Sequence, residues 1–218
     1  MREVKARFGD LSAGPAYDEV DPPRAPLGEP TGPLRLEMRW DDAGKRLVML
    51  WPTVSVATDA DYALDLVQTA LTSGRNARLT RKLVLDKGLA TSISMHNDTR
   101  VEGGFFWLFA ECAQGVEPAV LEKAIDEELE ALATKSLTAA ELKRAKGMIA
   151  SSEAYEAETV TDLAESLGEW AVDDDWRRAF DGGARHARVT SKDVREAVRR
   201  FLVPKRRALG WCLPGDRS

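Results

Sequence analysis

The sequence predicts a single α+β domain in which a mixed, mostly antiparallel sheet is covered by several helices. Two observations carry this. As far as Cys112 the apolar residues recur largely at the two-residue period of strands, and from Glu117 onward at the 3.6-residue period of helices. The chain then closes on a short apolar run, RALGWCL, so the order is strands, two helices, strands, several helices and one strand. With 218 residues there is chain enough for one sizeable core.

Each element has its local reason. Val4 and Phe8 stand at helical spacing, and the pattern stops at Gly9. Between residues 13 and 33, Pro15, Pro22, Pro23, Pro26, Pro30 and Pro33 exclude helix, because proline lacks a donor and restricts its predecessor. Residues 1–33 therefore read as the end of a linker and an extended arm, and residues 34–218 as the folded domain. In LRLEMRW, Leu34, Leu36, Met38 and Trp40 alternate with Arg35, Glu37 and Arg39, which predicts a half-buried strand with one wet face. Asp41-Asp42-Ala43-Gly44 supplies turn chemistry before RLVMLW, so a hairpin is expected.

Asp59 or Asp61 is expected to cap a helix reaching about Leu71, with Leu64, Leu66, Val67 and Leu71 inward. Gly74 breaks it, and a second helix over about 78–86 stops at Lys87-Gly88. Strands follow at 91–95 and 104–112, joined by the Glu102-Gly103-Gly104 turn; FFWLFAEC is apolar on both sides and so predicted to lie inside the sheet. Leu121, Ile125, Leu129 and Leu132 mark a helix whose Asp126, Glu127, Glu128 and Glu130 face mostly outward. Thr138 with Glu141 forms a capping-box pattern opening a helix that buries Leu142, Ala145, Met148 and Ile149. Val160, Leu163, Leu167 and Trp170 mark another, residues 176–180 a short one, and Thr190 opens the last, with Val194, Val198 and Phe201 inward.

Several kinds of chemistry are excluded or left without support. A net charge of −5 disfavours a nucleic-acid partner. Cys112 and Cys212, one hundred positions apart, make neither a disulfide framework nor a zinc knuckle. No apolar run reaches the roughly 18 residues of a membrane span, and the polar N-terminus shows no secretory signal, which leaves periplasm and cytoplasm both open. Only His96, in a strand-end turn, and His186, in a polar loop, are present; both read as solvated residues. Neither H-x-x-E-H nor H-E-x-x-H occurs, nor a G-x-S-x-G elbow, nor a P-loop. The carboxylates of Asp126 with Glu130, and of Asp173, Asp174 and Asp175, read as solvated surface. The chain is therefore expected to hold no catalytic residue, no metal ligand and no cofactor of its own.

The stretch SGRNARLTRKLVLDKGLATSIS, residues 73–94, resembles the glycine turn, helix and strand of insulinase-type (pitrilysin, inverted-zincin) peptidase domains. VKARFGDL resembles the start of that family's second domain, and RLVMLWPTV the strand before its long helix. SLTAAELKRAKGMIASS is similar to its Thr-x-x-Glu-Leu helix start, and VTSKDVREAVRRFLVPKRRALGWCLP to its closing helix and strand. The resemblance covers nearly the whole chain, in order, and implies the insulinase-family (LuxS/peptidase-like metalloenzyme) fold of bacterial two-domain halves.

What the resemblance implies is a two-domain chamber for peptide or unfolded protein. One domain carries His-x-x-Glu-His and zinc; the second lends an arginine and a tyrosine, seven residues apart, to grip the substrate. Peptides there are often bound by strand addition. In this sequence the zinc motif is missing, and the arginine and tyrosine positions fall on Val84 and Thr91. Arg81, one turn before Val84, is the neighbouring cation. The chain is thus expected to be an inactive half that closes the chamber and contacts peptide, with zinc and proteolysis in a partner half. The alternative is a structural or scaffold subunit. Val84 and Thr91 are both expected to line the chamber, so that restoring arginine and tyrosine there would leave folding nearly intact.

Overall fold

The computed structural model describes residues 2–14, 32–41 and 44–215. Most of the proline-rich arm, and Asp42-Ala43 of the expected turn, lie outside the described residues. An exposed helix α1 (Arg2–Phe8) is followed by β1 (Leu34–Trp40), β2 (Arg46–Pro52) and α2 (Asp59–Thr72). After a wide π-type helical turn (Thr80–Asp86) come β3 (Ala90–Arg100) and β4 (Gly103–Cys112). The second half supplies α3 (Pro118–Lys135), α4 (Ala139–Glu156), α5 (Val160–Asp173), a 3₁₀ turn (Trp176–Phe180), α6 (Gly182–Arg188), α7 (Ser191–Phe201) and β5 (Ala208–Pro214).

The five strands form one mixed sheet in the order β1-β5-β2-β4-β3, with only β1 and β5 parallel. As expected, β4 is an interior strand. The expected hairpin of β1 with β2 does not form, because β5 lies between them. The register supplies the reason. Arg35 and Glu37 stand beside Leu209 and Trp211, whose side chains enter the core, so β1 turns charges toward the side where the core lies. A strand of that pattern is tolerable only at the edge, whereas β5 can fill an interior slot. For the same reason β1 is exposed along its whole length rather than half-buried.

The core lies on one face of the sheet. Leu47, Met49 and Trp51 of β2, Phe106 and Leu108 of β4 and Trp211 of β5 are buried there, as are Leu64, Leu66, Val67 and Leu71 of α2. Each such side chain contributes about 1.5–3 kcal/mol of burial. From α3, Leu121, Ile125, Leu129 and Leu132 join them, and from α7, Val194, Val198 and Phe201. The cap of α2 is Thr58, which accepts the Asp61 N–H at 3.3 Å, and not Asp59 or Asp61. Asp61 instead turns back to accept the Ala57 N–H at 2.8 Å, a use of the short carboxylate that local pattern does not distinguish from capping. The Thr138–Glu141 capping box is present, and Thr190 with Asp193 makes a second.

Outer parts of the helical layer are thinner than the pattern suggests. Among the described side chains of α4, Ala145 alone is fully buried, Leu142 and Ile149 are partly so, and Met148 is exposed. On α5 nothing is fully buried and Val160 is open to solvent. Two of the α3 acids expected outside are engaged. Asp126 and Glu122 grip the buried Arg207 guanidinium, and Glu128 accepts from Lys82 at 2.8 Å. No helix of the described residues is long and apolar enough to cross a membrane.

Candidate functional site

The face of the sheet away from the helices is unusually apolar. Register places Leu34, Leu36, Met38 and Trp40 of β1 alongside Val48 and Leu50 of β2 and Phe105, Trp107 and Phe109 of β4 on this one face. Leu36 and Trp40 are 59% and 64% exposed, and Val48 and Phe105 are exposed too. Trp107, Phe109 and Leu50 are half-buried. Ala208 and Gly210 of β5 keep the middle of the face low. Contiguous exposed apolar patches are characteristic of interaction surfaces. His96 belongs to β3, not to a turn, and lies flat on Trp107 with ring centroids 4.2 Å apart.

The segment that resembles the family's arginine–tyrosine region starts at the wide turn over Thr80–Asp86, ends at Gly88 and enters β3. Gly88 has φ +58°, the left-handed region that glycine occupies without strain, so the chain reverses there at little cost. Leu83 anchors the turn in the core, and Leu89 N–H returns to its carbonyl at 2.8 Å. The three expected contact residues separate. Val84 is half-buried and packs against the core. Arg81 is exposed on the outside of the turn, 3.8 Å from Asp86. Thr91 occupies a β-bulge, the one position between Ala90 and Ser92 without a partner across β4. Bulges re-aim side chains, and Thr91 is exposed, its hydroxyl reaching the Glu111 carbonyl at 3.5 Å.

The outer edge of β3 beyond this bulge is occupied. Met95 N–H donates to Thr72 Oγ1 at 3.2 Å and Asn97 N–H to Gln68 Oε1 at 2.7 Å, both acceptors on α2. Two of the N–H groups that would receive an added strand are thereby satisfied from within the domain.

His186 was expected in a polar loop and solvated, and it is neither. It sits in α6 with its side chain 12% exposed, edge-on to Tyr62. Nε2 lies 3.0 Å from Asp65 of α2 and Nδ1 3.1 Å from Glu153 of α4. Burial alone would lower its pKa, but the hydrogen bond and charge of Asp65, with those of Glu153, hold it above the ordinary value. Asp61 nearby is shifted upward by its burial and then by the charge of Asp65, despite hydrogen bonds from Ala57, Thr99 and Asn97. These residues are far apart in the chain, and only the packing of α2, α4 and α6 unites them. The one local signal is Gly182-Gly183: a Cβ at Gly183 would stand 2.6 Å from Glu153 Oε2.

Zinc does not fit the donors of the described residues. Among the described residues no group of three or more His, Cys, Asp or Glu side chains could hold a metal ion. Both His186 nitrogens face carboxylates, and His96 stacks on an open sheet face.

A family model described as the peptidase M16 inactive domain matches residues 2–149. The chain is 28% identical over 219 residues to an uncharacterised zinc protease of Streptomyces coelicolor, covering 96% of this chain and 46% of that protein. It is 30% identical over 129 residues to an uncharacterised zinc protease of Mycobacterium leprae, covering 59% and 29%. A protease from Helicobacter pylori superposes with a TM-score of 0.88 at 19% identity, over 98% of this chain and 52% of that one. The peptidase M16 inactive domain from Pseudomonas fluorescens superposes at 0.73 and 16% identity, over 89% and 47%. The chain spans about half the length of these relatives or less.

Proposed function

Because the chain belongs to the peptidase M16 family, as one of its inactive domains, we propose that it is the non-catalytic half of a zinc peptidase. It docks through its uncovered sheet face against a catalytic half, closes the substrate chamber and contacts peptide. The observation that carries this reading is the apolar face of β1, β2 and β4, which needs a cover that the domain's own described helices do not supply. That relatives named zinc proteases run to twice this length or more supports a missing half. Zinc, its histidines and the water-activating glutamate belong to that half in this reading. Residues 1–33 then form the end of the connection between halves and residues 34–218 the inactive domain.

Within such a chamber, Thr91 and Arg81 are the side chains available to a peptide, and Val84 supports them from behind. Since Met95 and Asn97 already spend their edge N–H groups on α2, the peptide engages the start of β3 near the bulge rather than extending the sheet along it. One observation favours a purely structural role instead: Val84, at the family's arginine position, packs against the core and offers substrate no donor.

The test is to produce the full-length polypeptide, and this half with and without its upstream half, and to measure zinc and peptide hydrolysis. Zinc and activity are expected only where the upstream half is present, and the two halves are expected to copurify. One tight zinc per isolated domain, or failure of the halves to associate, would refute the assignment. Association without any hydrolysis would select the structural role.

A further inference from the structure

We propose that His186 is a pH-operated latch, in which the imidazolium, held between Asp65 of α2 and Glu153 of α4, pins the α5–α6 lobe over the groove beneath it. The argument starts from donors and acceptors. Each ring nitrogen lies within hydrogen-bond distance of a different carboxylate, 3.0 Å to Asp65 and 3.1 Å to Glu153. An ionised carboxylate only accepts, so both nitrogens must carry protons for both bonds to exist, and the ring is then a cation. When one proton leaves, one bond is lost and a lone pair faces a carboxylate instead.

The lobe depends on this contact. No residue of α5 is fully buried, and the residues of α5 that turn inward, Leu163 and Trp170, line a groove of about 860 Å³ shared with Met148, Phe180 and His186. Two further ties flank it on the same helix: Lys146 Nζ donates to the carbonyl of Ala187, the next residue, at 2.7 Å, and Arg185 lies over the Tyr62 ring, 5.7 Å from its centre. Glu153 is seated by design of the backbone, since its carboxylate occupies the space that side chains at Gly182 and Gly183 would fill, at 3.3 and 2.6 Å.

The charges facing the ring decide its direction of response. From α2 these are Asp65, Asp61 and the Tyr62 phenol; from α4, Glu153 and Lys146; from the 3₁₀ turn and the start of α6, Arg178, Asp181 and Arg185. Burial disfavours the charged ring, and the hydrogen bonds and charges of Asp65 and Glu153 outweigh it, leaving the pKa above its ordinary value. A raised pKa means that the stabilisation is complete below the unfolded value, about 6.5 for histidine, and is lost as pH rises through the folded one. The latch is therefore closed below the ordinary histidine range and released as pH rises above it.

Amide hydrogen exchange on the full-length polypeptide at pH 5.5 and 8.5, corrected for intrinsic rates, tests this. Protection of residues 182–188 should fall about tenfold or more at the higher pH, while that of α7, which is anchored in the core, holds. His186→Gln should abolish this difference. Gly183→Ala, which displaces only the flexible end of Glu153, should shrink it without disturbing core protection. Equal protection of wild type at both values, or an undiminished difference in His186→Gln, would overturn the latch. Should His186→Gln not fold, imidazole ¹⁵N shifts of the wild type decide: a ring with one proton at pH 6 overturns it, and two protons support it.

Discussion

Arg78 and Glu141 form a bidentate ion pair between the turn before β3 and the first turn of α4, with Nε to Oε1 at 2.7 Å and Nη2 to Oε2 at 2.6 Å. The same carboxylate accepts the Thr138 N–H and hydroxyl, so one side chain closes a helix terminus and ties it to the segment carrying Arg81 and Thr91. Burial would raise the Glu141 pKa, but Arg78 and Thr138 bring it down to about 2. Glu141→Gln is expected to cost about 1–3 kcal/mol at neutral pH, as loss of a cap and a charge-assisted pair. Because the folded pKa is depressed, that increment is complete above about 4.5 and disappears as pH falls toward 2. Thermal unfolding of both proteins between pH 6 and 2 should show the difference narrowing over that window.

Leu36→Ser combined with Trp40→Ser should leave the stability of this domain within about 1 kcal/mol, since both side chains are more than half exposed already. The same pair should weaken binding of the upstream half at least tenfold, measured by titration of one half into the other. Unchanged affinity would place the docking surface elsewhere.

Restoring the family's arginine and tyrosine will not be neutral at both places. Thr91→Tyr points from a bulge into solvent and should change stability by less than about 0.5 kcal/mol. Val84→Arg removes a side chain packed against the core and should cost about 1–2 kcal/mol. Denaturant titration of the two single variants resolves them.

Arg207, 8% exposed, is bound by Asp126 and by Glu122, which also accepts from Trp211 Nε1 at 3.3 Å. Arg207→Ala leaves Asp126 without its cation and Glu122 with Arg35 alone, and should cost about 3–5 kcal/mol. Adding Asp126→Ala should recover part of that loss, a coupling that a double-mutant cycle on chemical denaturation reads directly.

What the sequence made legible is what a single element determines about itself. The α3 and α7 stripes, the box at Thr138, the helix start at Thr190 and the double-sided apolar run of β4 all follow from residues within a few positions of one another. Pairing is different: LRLEMRW reads as a strand, but nothing within it says that β5, about 170 residues later, will lie beside it. The fate of polar residues is also non-local. Asp126 looked solvated until Arg207 arrived from the far end of the chain, and His186 looked ordinary until α2 and α4 brought carboxylates to both of its nitrogens. The sequence led to the expectation that Val84 and Thr91 line one chamber together, and it could not show the bulge at Thr91 or that Val84 turns against the core.

The edge of β3 has one more consequence. With Gln68 and Thr72 occupying the outward N–H groups of Asn97 and Met95, that end of the sheet resists fibril-like stacking of one copy on another. The opposite end, β1, combines an edge position with an apolar face. Self-association of an orphaned copy should therefore begin at β1, giving the molecule one sticky end and one blunt one.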